Sequence, residues 1–125
     1  MSQIIRTKDW KSILRFYQEF DEKQQLSTMV ALVESIENSE YSSSLYAYTS
    51  VITLCIGQHP ELSPNNALLN IEPIASKGLV NFKYKGDNTL EYSWCKEVSA
   101  QNAYLEFVRF IKALKWVVYP SKPTM

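Results

Sequence analysis

Val80-Asn81-Phe82-Lys83-Tyr84-Lys85-Gly86-Asp87-Asn88-Thr89-Leu90-Glu91-Tyr92-Ser93-Trp94 reads as two half-buried strands about a tight turn. Apolar and polar side chains alternate on both sides of a Gly-Asp-Asn step, the period of a sheet with one wet face. Val80, Phe82 and Tyr84 share one face of the first strand, and Leu90, Tyr92 and Trp94 share one face of the second. Both sets reach the same side only when paired positions sum to an even number, because a one-residue slip turns every side chain over. Phe82 opposite Tyr92, and Lys85 opposite Thr89, meets that condition. It leaves a three-residue loop, Gly86-Asp87-Asn88, with Asn88 in the left-handed position such loops need. A two-residue Gly-Asp turn would put one apolar set in water.

On either side of this hairpin, Ala67 to Ile71 is expected to pair as a further strand, and Ser99 to cap a final helix. Ala103, Tyr104, Phe107, Val108, Phe110, Ile111 and Leu114 give that helix a broad apolar face. At the other end Thr7 precedes a helix opening at Lys8, in which Trp10, Ile13, Leu14, Tyr17 and Phe20 recur at three-and-four spacing. A second helix is expected from about Glu22 to Glu37 on the stripe Leu26, Met29, Val30, Val33 and Ile36. Leu45 to Ile56 is rich in Tyr, Thr, Val and Ile. It reads as one strand covered on both faces or as two short strands, while Leu45, Tyr48, Ile52 and Ile56 also fit a helix. Gly57 to Asn66, with Pro60, Pro64 and Asn65-Asn66, reads as a loop. The fold class is α+β: N-terminal helices, an antiparallel sheet of about four strands and a C-terminal helix packed on the sheet, all in one domain spanning residues 1–125.

The 125 residues are 46% hydrophobic and 21% charged, enough apolar material for one real core. Thirteen basic side chains balance thirteen acidic ones. A net charge of zero argues against nucleic acid as the partner, since that binding needs a positive surplus to displace counterions. No apolar run reaches the roughly 20 residues of a membrane span, and no basic start followed by an apolar stretch marks a signal peptide. Cys55 and Cys95 are therefore read as two free thiols in a reducing cytoplasm.

Enzymatic chemistry has no positive support. His59 is the one histidine, four residues after Cys55 and two before Glu61. A metal needs three or four converging ligands, and a thiol–imidazole pair needs an accessible cleft. His59 is read as a loop residue, and Cys95 as a plain surface or half-buried thiol. Gly57, Gly78 and Gly86 stand alone, so no phosphate-binding loop exists, and no serine is flanked by glycine. No catalytic residue, metal or cofactor is expected.

Charge distribution points instead to a protein partner. Residues 1–18 carry +3, residues 19–72 carry −7 and residues 77–125 carry +4. Folding that interleaves these blocks neutralises them. The sharper expectation is an acidic face, Glu34, Glu37 and Glu40, that attracts a basic protein. On the last helix Leu105, Arg109, Lys112 and Trp116 follow i, i+4, i+7, i+11, away from most of the core stripe. Either the N-terminal segment or the tail through Tyr119 and Pro120 covers them, or they form a partner or homodimer contact. A third possibility is a small-ligand pocket of Tyr46, Tyr48, Tyr92 and Trp94.

Leu45-Tyr46-Ala47 with Thr49-Ser50, Leu54-Cys55-Ile56, the Val80/Phe82/Tyr84 strand, Trp94, and Phe107, Phe110, Leu114 and Trp116 carry a family resemblance. From about Leu45 to Trp116 the chain resembles small stand-alone bacterial immunity proteins found beside polymorphic toxins. The resemblance implies a cytosolic, non-enzymatic protein that binds a cognate toxin domain and occludes its active site or substrate path. It transfers no toxin-contact residue. Glu34, Glu37 and Glu40 rest on the charge distribution alone, with a basic toxin domain as the expected partner.

Overall fold

The computed structural model describes residues 4–24, 26–74 and 77–116. Helix α1 (Trp10–Gln24) starts two residues later than Thr7 suggests. Asp9 takes the capping position, its Oδ1 accepting from the Ser12 amide at 2.7 Å, and the Ser12 side chain together with that amide holds its carboxyl below the ordinary value. The Thr7 hydroxyl is spent on the Pro60 carbonyl. The second helix, α2, covers Ser27–Glu37, and residues expected to open it, Glu22 to Gln24, still belong to α1. Buried Leu26 sits at the junction and turns the chain back against α1. Lys11, at the start of α1, reaches Glu37, at the end of α2, at 2.8 Å, as an antiparallel helix pair requires.

Leu45 to Ile56 resolves as two strands, β2 (Tyr46–Ser50) and β3 (Thr53–Gly57), closed by the Ser50–Thr53 pair. Val51 turns the corner at φ 57°, a left-handed conformation that crowds a β-branched side chain. Its side chain is exposed, so nothing packs to offset the crowding. Asparagine, which tolerates this region, is the expected improvement: Val51→Asn should raise the unfolding free energy by about 0.5–1 kcal/mol. A shift of the urea midpoint to higher concentration checks it.

The expected loop after Gly57 contains a two-residue strand, β4 (Glu61–Leu62), paired with β1 (Ile5–Arg6) ahead of the helices. Leu62 lies so close over Gly57 that a Cβ there would stand 2.6 Å from a Leu62 methyl carbon. Strands β5 (Leu68–Ile74), β6 (Leu79–Lys85) and β7 (Trp94–Ser99) complete a five-stranded antiparallel meander in the order β2-β3-β5-β6-β7. The chain is thus α+β, with one strand more in the main sheet than expected and a separate β1–β4 ribbon.

The β6–β7 register departs from the expected one. Tyr84 pairs with Trp94 and Phe82 with Lys96, so the paired positions still sum to an even number but lie four residues further along. Leu90 and Tyr92 leave the strand for a longer loop, whose start is held by the segment that leads into β5. The Ala67 amide donates to Asp87 Oδ1 at 2.8 Å, and the Asn88 amide, at φ 62°, donates to the Asn65 carbonyl at 2.6 Å. Lys85, almost fully buried, donates through Nζ to the Pro64 and Asn66 carbonyls, each at 2.6 Å. Burial pushes its pKa down, with nearby Asp87 opposing.

The preserved parity puts Ala47, Leu54, Ile56, Leu69, Ile71, Val80, Phe82 and Val98 on one face, within a single buried cluster that includes Trp10, Ile13, Tyr17, Met29, Val33 and Ile36. Helix α3 (Ala103–Leu114) packs over the β6–β7 side of that face. It follows a 3-10 turn, Ala100–Asn102, and the Ser99 side chain makes no capping bond there. Phe107 meets Tyr41 edge-on at 5.9 Å, and Phe110 stacks on Trp94 at 4.6 Å. Trp116 packs edge-on to Tyr84.

Candidate binding surfaces

Glu34 and Glu40 are exposed at the end of α2 and on the turn that follows. Among the described residues neither has an ion-pair partner. Glu37 is half-buried and already bound to Lys11, so it belongs to the helix pair rather than to a docking face. Folding thus neutralises part of the acidic block and leaves Glu34 and Glu40 exposed. Neither the length of the acidic block nor its charge separates the two outcomes; the difference lies in which carboxylate falls opposite the start of α1.

The four residues expected on the outside of α3 divide. Leu105 is 57% exposed, and Arg109 and Lys112 are exposed, but Trp116 is only 5% exposed and belongs to the core. Its cover is intramolecular, from Tyr84 and the end of α3. Of the two covers suggested, the N-terminal segment and the tail, the tail through Tyr119 and Pro120 lies outside the described residues. A groove of about 480 Å³ runs between Leu105, Glu106 and Arg109 on α3 and Lys96 to Ser99 on β7. Glu106, 8% exposed, is the shared anion of this groove: its Oε1 lies 3.2 Å from Lys96 Nζ and 3.6 Å from an Arg109 nitrogen. Sequence reading missed the groove because it depends on which strand ends the sheet. The adjacent charges Lys96-Glu97 on a strand are the one signal of an edge.

The face of the sheet turned from the helices carries Tyr48, Cys55, Asn70, Lys83 and Cys95 in one row across five strands. The Tyr92 hydroxyl reaches Asn70 from the long loop. Burial pushes the Cys55 thiol up to about 11, so it stays protonated and unreactive at neutral pH. Tyr48, hydrogen-bonded to it, is pushed up as well, first by burial. Cys55 and Cys95 are free, three strand spacings apart, roughly 14 Å. The expected four-residue aromatic pocket does not form: Tyr46, Tyr48 and Tyr92 belong to this face, while the Trp94 ring stacks on Phe110 beneath the helices.

His59 lines a wide cleft of about 770 Å³ with Arg6, Lys8, Asp9, Tyr46 and Glu61. Its carboxylates are already engaged, Asp9 as the cap of α1 and Glu61 with Arg6 at 3.6 Å. Cys55 does not line the cleft, so no thiol–imidazole pair is assembled. Among the described residues no group of three His, Cys, Asp or Glu side chains converges to hold a metal ion, and no helix is long and apolar enough to cross a membrane. Compared with protein-family models, with curated proteins and with solved structures, the chain has no match in any of the three.

Proposed function

We propose that the chain is a non-enzymatic, cytoplasmic protein-binding module, an immunity-type inhibitor that occludes a cognate basic toxin domain. The observation that supports this reading is the pair of exposed carboxylates Glu34 and Glu40, which have no ion-pair partner among the described residues. Carboxylates left in water without a cation add nothing to the fold, and they draw a positively charged surface into encounter. Glu37 contributes indirectly, by joining α1 to the end of α2 that presents them.

The tagged chain, used for affinity capture from a lysate of its source at low and high salt, should recover one stoichiometric basic protein that is lost at high salt. The Glu34→Lys/Glu40→Lys variant should fail to recover it at either ionic strength while keeping the wild-type circular dichroism. Equal recovery by wild type and variant would remove the acidic surface from the proposal.

A further inference from the structure

Strand β7 ends the sheet: β6 pairs with one side of it, and among the described residues nothing pairs with the other. The opposite edge is covered at one position, where the Lys8 amide donates to the Ala47 carbonyl at 2.9 Å and brings the N-terminal segment beside β2. The Ala100 amide donates to the Gly78 carbonyl at 3.0 Å, which sets the phase of the β6–β7 ladder. Counting back from that bond, Val98, Lys96 and Trp94 address β6, and Cys95, Glu97 and Ser99 turn their amides and carbonyls to the free edge. The groove against α3 runs along this edge.

Chemistry within the groove is polarised. Glu106 serves both Lys96 and Arg109, so the three carry one surplus positive charge; Glu97, which also lines the groove, offsets it, and exposed Lys112 on the next turn of α3 restores a positive balance. Two residues along β7 from Lys96, Val98 faces the same way and shares the groove with exposed Leu105.

We propose that the β7–α3 groove docks an extended segment of a partner protein, added to the sheet as a sixth strand. The segment presents a carboxylate to Lys96 and Arg109 and, two residues away, an apolar side chain to Val98 and Leu105. Strand addition supplies the affinity and the two side chains the selectivity. A second copy of this chain is the poorer occupant. Two β7 strands related by a two-fold axis, helices on one side, pair positions that sum to an even number. The centred registers then set Lys96 against Lys96 or Glu97 against Glu97, and like charges directly opposite repel. The groove stands apart from Glu34 and Glu40 and does not rest on the toxin reading.

Fluorescence anisotropy of the full chain with a labelled peptide of alternating threonine and valine, carrying one glutamate, tests this. A second peptide has lysine in place of the glutamate. The glutamate peptide should bind about tenfold more tightly than the lysine peptide, and Arg109→Glu should reverse that order. Glu97→Pro removes one outward amide and no bond to β6, and should weaken the glutamate peptide about tenfold. If Glu97→Pro does not fold, Arg109→Glu decides alone. Absence of binding, equal binding of the two peptides by wild type, or unchanged affinity in folded Glu97→Pro overturns the proposal. A dimer in sedimentation that Glu97→Pro dissolves overturns it also, in favour of a second copy.

Discussion

Phe82→Ala should lower the unfolding free energy by about 3–5 kcal/mol, the largest loss expected from a single truncation in the sheet. Phe82 is fully buried on β6, paired with Ile71 on one side and Lys96 on the other, on the face the helices cover. Removing the ring forfeits its transfer from water and leaves a cavity under an element that rigid strands cannot close over. Domains of this size are stable by only about 5–15 kcal/mol, so the variant should stand near its folding threshold. Urea denaturation should show a much lower midpoint with an unchanged slope. Leu105→Ala, on an exposed position, should stay within about 0.5 kcal/mol of wild type. A loss below about 1 kcal/mol at Phe82 would contradict the placement of the core.

Alkaline pH should destabilise the protein before general loss of lysine charge does. Burial raises the Cys55 thiol from 9.0 to about 11, so above pH 9 the unfolded chain releases this proton first. Its contribution is whole below pH 9 and lost as pH rises to 11, amounting to roughly 2–3 kcal/mol. Tyr17 and Tyr48, raised from 10.0 mainly by burial, act with the same sign from pH 10 upward. Lys85, lowered from 10.5, has the opposite sign: the folded protein releases that proton first, and stability rises with pH up to 10.5. Tyr84 and Tyr92, raised first by burial, and Lys11, raised by its bond to Glu37, act with the same sign, so six raised groups against one lowered group leave a net fall. Cys55→Ala should flatten the decline between pH 9 and 11 in urea midpoints taken at each pH. A variant that declines in parallel with wild type would place the alkaline loss elsewhere.

Local pattern carried much of the fold. Alternation in Val80–Tyr84 set the parity of the hairpin, and parity survives in the Tyr84–Trp94 pairing although the register moved. The register was not legible because it depends on Asp87 and Asn88 binding a segment some twenty residues away. Asn88 nonetheless has the left-handed backbone that its residue type favours. Trp116 had the helical spacing of an outward residue, but the left-handed Lys115, φ 58°, ends α3 before it and returns the ring to Tyr84. Of the acidic candidates, Glu34 and Glu40 remain exposed, whereas Glu37 was claimed by a lysine 26 positions upstream, a pairing only the helix-pair geometry reveals.

Electrostatic recognition through Glu34 and Glu40 is tested most directly by the association rate of the captured partner, measured by stopped flow between about 0.05 and 0.5 M salt. Wild type should associate about tenfold or more slowly at the high end, with dissociation nearly constant. Glu34→Lys/Glu40→Lys should be slow throughout and lose most of that salt dependence. An association rate that is the same at both ends of the range, or the same in wild type and variant, would contradict it.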